Sequence, residues 1–340
     1  MSRKALLWGA GLIVLALTLL AGAAIGETRL PLASVARVLA NHLWQAGYPV
    51  DRIDAGIIWS YRLPRAIVAA SCGAGLALTG VVLQALLRNP LADPYLMGLS
   101  AGASTGAVLV SIAGFGAGAL SMSAGALIGA LAAFAAVVAL AHAIPGTARG
   151  TSGAAAIILA GIAGSQMFNA LTAFIIARSA NAEQARGIMF WLMGNLSGVR
   201  WEDVLPAVVV TCLGALVCLW HRHALDAFTF GAESAASLGV NVPKTRGILI
   251  TATAVMIGVL VSKVGAIGFV GLVVPHAMRF LVGTRHQRLV PASALAGAVF
   301  LVLADIVSRI IVPGQVLPIG VVTALIGAPA FALILMRGAR

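Results

Sequence analysis

Asp305 and Arg309 stand four residues apart inside an apolar run, a spacing that puts both side chains on one helix face. A charged side chain at the centre of a bilayer costs about 3 kcal/mol even on the milder scales, so such charges pair or carry function. The two residues read in two ways: as an internal ion pair, or as a carboxylate holding Arg309 out towards a partner. Arg62 and Arg65 are three apart, just ahead of another apolar run, and also share a face. Catalytic constellations are absent from the chain. It has no His-Glu-x-x-His, no Gly-x-Ser-x-Gly and no Cys/His cluster. The six histidines (42, 142, 221, 223, 276 and 286) are scattered, and His276, after Pro275, reads as a helix-end hydrogen-bonding residue. Cys72, Cys212 and Cys218 all fall within apolar runs without metal-ligand spacing and read as small core residues. No metal site is expected. A phosphate-binding P-loop needs Gly-Lys-Ser/Thr, and none of Lys4, Lys244 and Lys263 follows a glycine. If ATP drives a process here, its hydrolysis belongs to another polypeptide.

These residues are set in a chain that is 61% hydrophobic and 9% charged, with a mean hydropathy of +1.03. So few polar residues cannot cover a water-facing surface. Only helices or closed barrels satisfy the backbone in lipid, and the apolar runs have helical length. The expected fold class is all-α, a polytopic membrane protein of about ten transmembrane helices forming one domain over residues 1–340. Helices are expected at Ala5–Ile25, Ala66–Leu87, Tyr95–Ala113, Leu120–His142, Ala154–Ala177, Val204–Trp220, Ile248–Ser262, Gly265–Val282, Val290–Val312 and Val316–Met336. Lys263 and Gly265 alone separate the seventh and eighth. Arg3 and Lys4 followed by an apolar run imitate a signal peptide. That run exceeds the usual apolar core of about 7–15 residues, so it reads as a retained first helix. The 39 glycines let helix backbones approach closely, and Gly73–Gly75, Gly102-Ala103 and Gly125-Ala126 read as packing seams.

An even helix count with a cytoplasmic N-terminus places both termini inside. Arg88, Arg149, Arg222, Lys244, Arg279, Arg285, Arg288 and Arg340 then fall inside, as the positive-inside rule asks. Arg29, Arg62, Arg65, Arg178, Arg200, Lys263 and Arg309 fall on the other side, and a docking surface would explain them. The net charge of +12 carries no long basic run or aromatic-basic repeat, so no nucleic acid is expected. Residues 27–65 read as an outer loop, partly helical and lying at the interface, that bears Trp44, Tyr48 and Trp59. Residues 221–247 read as a cytoplasmic loop in which Gly239 ends a short helix.

Longer motifs identify a family resemblance. Arg62-Leu-Pro-Arg65, Gly80-Val-Val-Leu-Gln84 and the run from Arg88, Asn89 and Pro90 through Asp93 and Pro94 to Ala103 resemble the FecCD-type permeases. So do Phe190–Leu196, Ala236–Gly239, Gly265–His276 (containing Pro275), Ala304-Asp305-Ile306 and Leu317–Thr323. These are membrane subunits of type II ABC importers for iron-siderophore, haem and cobalamin. The resemblance implies a type II importer permease fold of ten helices, a homodimer with a second copy of itself, and two ATPase subunits that hold ATP and Mg. It implies a periplasmic substrate-binding protein and a place in the bacterial inner membrane. ATPase coupling would map to Ala232, Glu233, Ala235, Ala236, Leu238 and Gly239. Binding-protein docking would map to Arg62, Arg65 and Arg309. The chain itself is expected to be no enzyme and to hold no cofactor. An ion-coupled secondary transporter would need coupling carboxylates, but only Asp305 lies in an apolar span. An intramembrane enzyme would need a nucleophile or metal pair. Among cargoes the pattern of Arg88–Ala103 leans towards haem, with siderophore and cobalamin as alternatives.

Overall fold

The computed structural model describes residues 3–28, 30–94, 98–112, 114, 120–143, 152–179 and 181–338. Among these residues there is no strand. The helices are α1 (Arg3–Ala24), α2 (Leu32–Trp44), α3 (Arg52–Ala55), α4 (Leu63–Leu86), α5 (Leu99–Ser111), α6 (Met122–Ala143), α7 (Ser152–Ser179) and α8 (Ala182–Leu192). They continue as α9 (Trp201–Trp220), α10 (Arg222–Phe228), α11 (Ala232–Ser237), α12 (Val242–Val264), α13 (Val270–Val282), α14 (His286–Ile310) and α15 (Ile319–Gly338). Each of the ten expected apolar segments overlaps one of these helices. Six have the length and hydropathy to cross a bilayer, and four are shorter apolar helices: Trp8–Ala24, Leu99–Ser111, Val270–Val282 and Ile319–Leu333. The chain is a multi-pass membrane protein. The expectations for Arg29, Tyr95–Met97, Arg149 and Arg340 lie outside the described residues.

Helix α4 is the axis of the bundle. Nearly all of its side chains are buried, and α1, α9, α12, α13 and α14 pack around it. Its sequence explains this: small residues predominate over Ala66–Gly80, so neighbours approach from every side. Gly73 of α4 meets Gly297 of α14 backbone to backbone, and a Cβ on either would run into the other's carbonyl. Gly102 and Gly106 of α5 meet Gly129 and Gly125 of α6 in the same way. The expected seams are therefore real contacts. The outer helices α6, α7 and α9 instead expose large apolar side chains such as Ile128, Phe174 and Leu216, as lipid-facing helices do.

The segment expected as a partly helical outer loop is mostly helix. α2 ends at Gln45, which adopts a left-handed φ of 54°. From Arg52 the chain is continuously helical to Leu86, through a π-helical stretch at Gly56–Arg62. Arg62 and Arg65 thus lie within helix rather than on a loop.

α12 and α13 are separate helices. Gly265 closes α12 with φ 71°, and a Cβ there would also strike the Trp191 carbonyl. Close by, the turn after α8 joins two helix ends. Asn195 N donates to Val264 O of α12 at 2.8 Å, while Ile319 N and Gly320 N of α15 donate to Gly194 O and Met193 O at 2.9 and 3.0 Å. The motifs at 190–196, 265–276 and 317–323 converge on this turn.

Candidate functional site

The bundle has two functional ends. One carries a buried charge cluster and the other carries α11.

In the cluster, Arg65 Nε and Nη2 both lie 2.8 Å from Asp305 Oδ1. Arg65 Nη1 donates to Tyr61 Oη at 2.7 Å and to Ser197 Oγ at 3.1 Å. Arg309 Nη2 lies 3.1 Å from Asp305 Oδ2, an ion pair without hydrogen-bond geometry. The same nitrogen donates to Gly22 O at 3.0 Å. Arg62 donates to Ala24 O and Thr28 O, both at 2.6 Å. The last carbonyls of a helix have no partner within it and carry partial negative charge. Arg62 and Arg309 therefore cap the end of α1 from the side, while Asp305 holds Arg65 and Arg309 together.

This geometry corrects the expected docking role. Arg62, Arg65 and Arg309 are 3%, 1% and 2% exposed, too little to present charge to another protein. Their physical employment is internal: one carboxylate and the open end of α1 absorb three guanidiniums. Of the two readings of Asp305–Arg309, the internal ion pair is the one observed. On the same side Lys263 Nζ pairs with Asp203 Oδ1 at 2.8 Å.

At the opposite end the chain passes α4, turns through Arg88–Pro94, and meets α10, α11 and α13. Arg88 has a left-handed φ of 49°, and Asn89 organises the turn. Leu91 N donates to Asn89 Oδ1 at 2.9 Å and Ala92 N to Asn89 O at 3.0 Å. Gln84 Nε2 donates to Gly271 O at 3.1 Å, and Arg279 Nη1 donates to Gln84 Oε1. Gly80 lies against the Gly271 carbonyl, and Gly271 against Pro94. The Gln84, Pro94 and 265–276 motifs thus form one joint between α4 and α13. Pro275 is buried inside α13, and His276 is half-buried, stacking edge-on to Phe280 at 5.3 Å. α5 begins after Gly98, whose left-handed φ of 72° makes the turn.

α11 is a short helix held on this joint. Gly231 precedes it with φ 111°, and a Cβ there would lie 3.4 Å from Arg88 Nη1. Ala235 is fully buried and anchors the helix, so its expected place on a partner-facing surface is corrected. Glu233, Ala236, Leu238 and Gly239 are exposed, and Ala232 is half-buried. Phe230 and Leu238 are 73% and 71% exposed, so the helix is flanked by two uncovered apolar side chains. Asp226 of α10 ties this platform to α14: His286 N and Nδ1 lie 2.8 and 2.7 Å from Asp226 Oδ1. Among the described residues no group of three His, Cys, Asp or Glu could hold a metal ion.

The helical bundle thus carries a buried polar cluster at one end and an exposed short helix at the other. The chain belongs to the FecCD transport family, whose model matches residues 13–337. It is 41% identical over 283 residues to the cobalamin import system permease protein BtuC of Halobacterium salinarum, covering 82% of this chain and 73% of that one. It is 37% identical to the vitamin B12 import system permease protein BtuC of Salmonella typhimurium, covering 91% and 93%. It is also 37% identical to the uncharacterized ABC transporter permease protein YvrB of Bacillus subtilis, covering 96% and 92%. A solved structure of a metal-chelate type ABC transporter in an inward-facing conformation superposes with a TM-score of 0.83 at 30% identity, covering 98% of this chain and all of that one. The lean towards haem finds no support among these relatives, two of which are named for cobalamin or vitamin B12.

Proposed function

We propose that this chain is the permease subunit of an ATP-driven importer for a corrinoid cargo of the cobalamin type. Two copies of the chain would enclose the pathway, and two ATPase subunits carrying ATP and Mg would bind at the α11 end. A periplasmic binding protein would deliver cargo at the end bearing Asp305, and both termini would lie in the cytoplasm of a bacterial cell. The observation that carries the coupling role is the exposed pair Phe230 and Leu238 flanking α11, on a helix whose inner residue Ala235 is fixed in the core. Apolar side chains exposed beyond the lipid-facing helices mark a protein interface. The cobalamin reading rests on likeness over most of the chain to two permeases named for it. A metal chelate is the second reading, favoured by the structural neighbour's description.

The test is uptake into proteoliposomes holding the permease with its ATPase and binding protein. Cyanocobalamin, a ferric siderophore and haemin are compared as cargoes, with and without the ATPase. ATP-dependent accumulation of cyanocobalamin alone is expected. Uptake without the ATPase would overturn the coupling role, and preference for haemin or the siderophore would overturn the corrinoid assignment.

A further inference from the structure

A groove of about 750 Å³ runs along the side of the bundle between α1, α13 and α14. Its walls are almost wholly apolar: Trp8, Gly11 and Val14 from α1, Leu281 from α13, and Leu295 and Val299 from α14 among them. Its polar groups sit at one end, where Gln287 and Arg288 open α14. Arg285 stands beside them, and both arginines are exposed. Among the described residues neither has a carboxylate partner.

The dimensions select an occupant. From Arg288 to Val299 is eleven residues, about 16 Å along a helix. That is close to half of a hydrocarbon core of about 30 Å, so the groove spans one leaflet. Its lining stops at Val14 and Val299, short of Gly22 at the far end of α1, where the helix packs against Ala66 and Val302. A transmembrane helix from a second copy would need a groove crossing both leaflets. A phospholipid needs this shape: an apolar trough one leaflet long, with a headgroup site at its wet end. Trp8 lies at the level of that end, where indoles favour the membrane interface. Two unpaired cations there select a negative headgroup.

We propose that this groove holds an anionic phospholipid from the leaflet on the α11 side, its acyl chains along Val14 and Leu295 and its phosphate on Arg288. The bound lipid would brace α1 against α14 and, through the Asp226–His286 contact, the α10–α11 platform.

The experiment is native mass spectrometry of the full chain, delipidated and then titrated with phosphatidylglycerol or phosphatidylcholine of identical acyl chains. Wild type should retain phosphatidylglycerol preferentially. Arg288→Gln should cut that preference about fivefold, the worth of one basic residue near an anionic surface. Val14→Trp, which fills the trough while leaving the cations in place, should lose both lipids. Excess inorganic phosphate should not displace the bound lipid. Equal retention of the two lipids by wild type would overturn the proposal, and that comparison needs no variant. So would undiminished binding by Val14→Trp, displacement by phosphate, or disulfide cross-linking between copies through Val14→Cys, which would assign the groove to a second copy.

Discussion

Arg65 and Asp305, 240 positions apart in sequence, meet at 2.8 Å in a site from which water is almost wholly excluded. Breaking a buried ion pair by removing one partner costs about 3–5 kcal/mol, because the remaining charge is left uncompensated. Here Asp305 faces two guanidiniums. Asp305→Ala should therefore lower the unfolding temperature in detergent more than Arg65→Ala or Arg309→Ala does. Thermal unfolding of the three variants side by side is the measurement. An Asp305→Ala protein as stable as wild type would contradict the role of this carboxylate.

Reversal of Arg62 to Glu tests capping against docking. A carboxylate beside Ala24 O and Thr28 O replaces two donors with a repelling charge, at the end of α1 where partial negative charge already gathers. Folded yield should fall before any effect on binding-protein association can be read. A well-folded variant with slower, more salt-sensitive association would restore the docking role.

At the α11 end, Leu238→Glu and Ala235→Asp should separate two failures. Leu238 is exposed, so its replacement should leave the permease folded and uncouple ATP hydrolysis from uptake. Ala235 is fully buried, so an unpaired carboxylate there should reduce folded protein. Size-exclusion profiles and coupled uptake, measured on both variants, distinguish the outcomes. Normal coupling in Leu238→Glu would remove α11 as the contact.

Gln84→Leu should weaken the joint between α4 and α13. It strips a donor from Gly271 O and an acceptor from Arg279, leaving a half-buried guanidinium short of a partner. A loss of about 1–3 kcal/mol is expected for such unsatisfied groups. Chemical denaturation compared with Gln84→Glu, which keeps an acceptor for Arg279, checks it. Equal stability of all three proteins would show the joint to be held by glycine packing alone.

Gly106→Leu should be more damaging than Gly9→Leu. A Cβ at Gly106 runs into the Gly125 carbonyl, whereas nothing lies within 4 Å of one at Gly9. Expression as a monodisperse protein is the readout, and similar yields would argue that α5 and α6 separate freely.

The apolar runs made the membrane helices legible, and the glycine pairs made their seams legible, because both rest on local composition. Gly265 marked the α12–α13 break for the same reason. α8 escaped notice: its eleven residues hold Glu183 and Arg186 and lack a long apolar run, although the Asn181–Gln184 capping box was a readable start signal. The fate of Arg62, Arg65 and Arg309 was not legible. A basic residue beside an apolar run looks the same whether it meets water or the open end of a distant helix. Only tertiary structure brought Gly22, Ala24 and Asp305 to those guanidiniums. Leu238 and Ala235 were equally indistinguishable in sequence, because a two-turn helix has no periodicity long enough to name its inner face.

The turn at Met193–Asn195 has a mechanical consequence. It fastens the start of α15 and the finish of α12 to one short piece of backbone, so α15 is tethered at that tip. Twenty residues make α15 a lever about 30 Å long, and a tilt of about 10° about the tether sweeps its far tip through about 5 Å. Any rotation about that tether would therefore move the α11 end of the helix furthest.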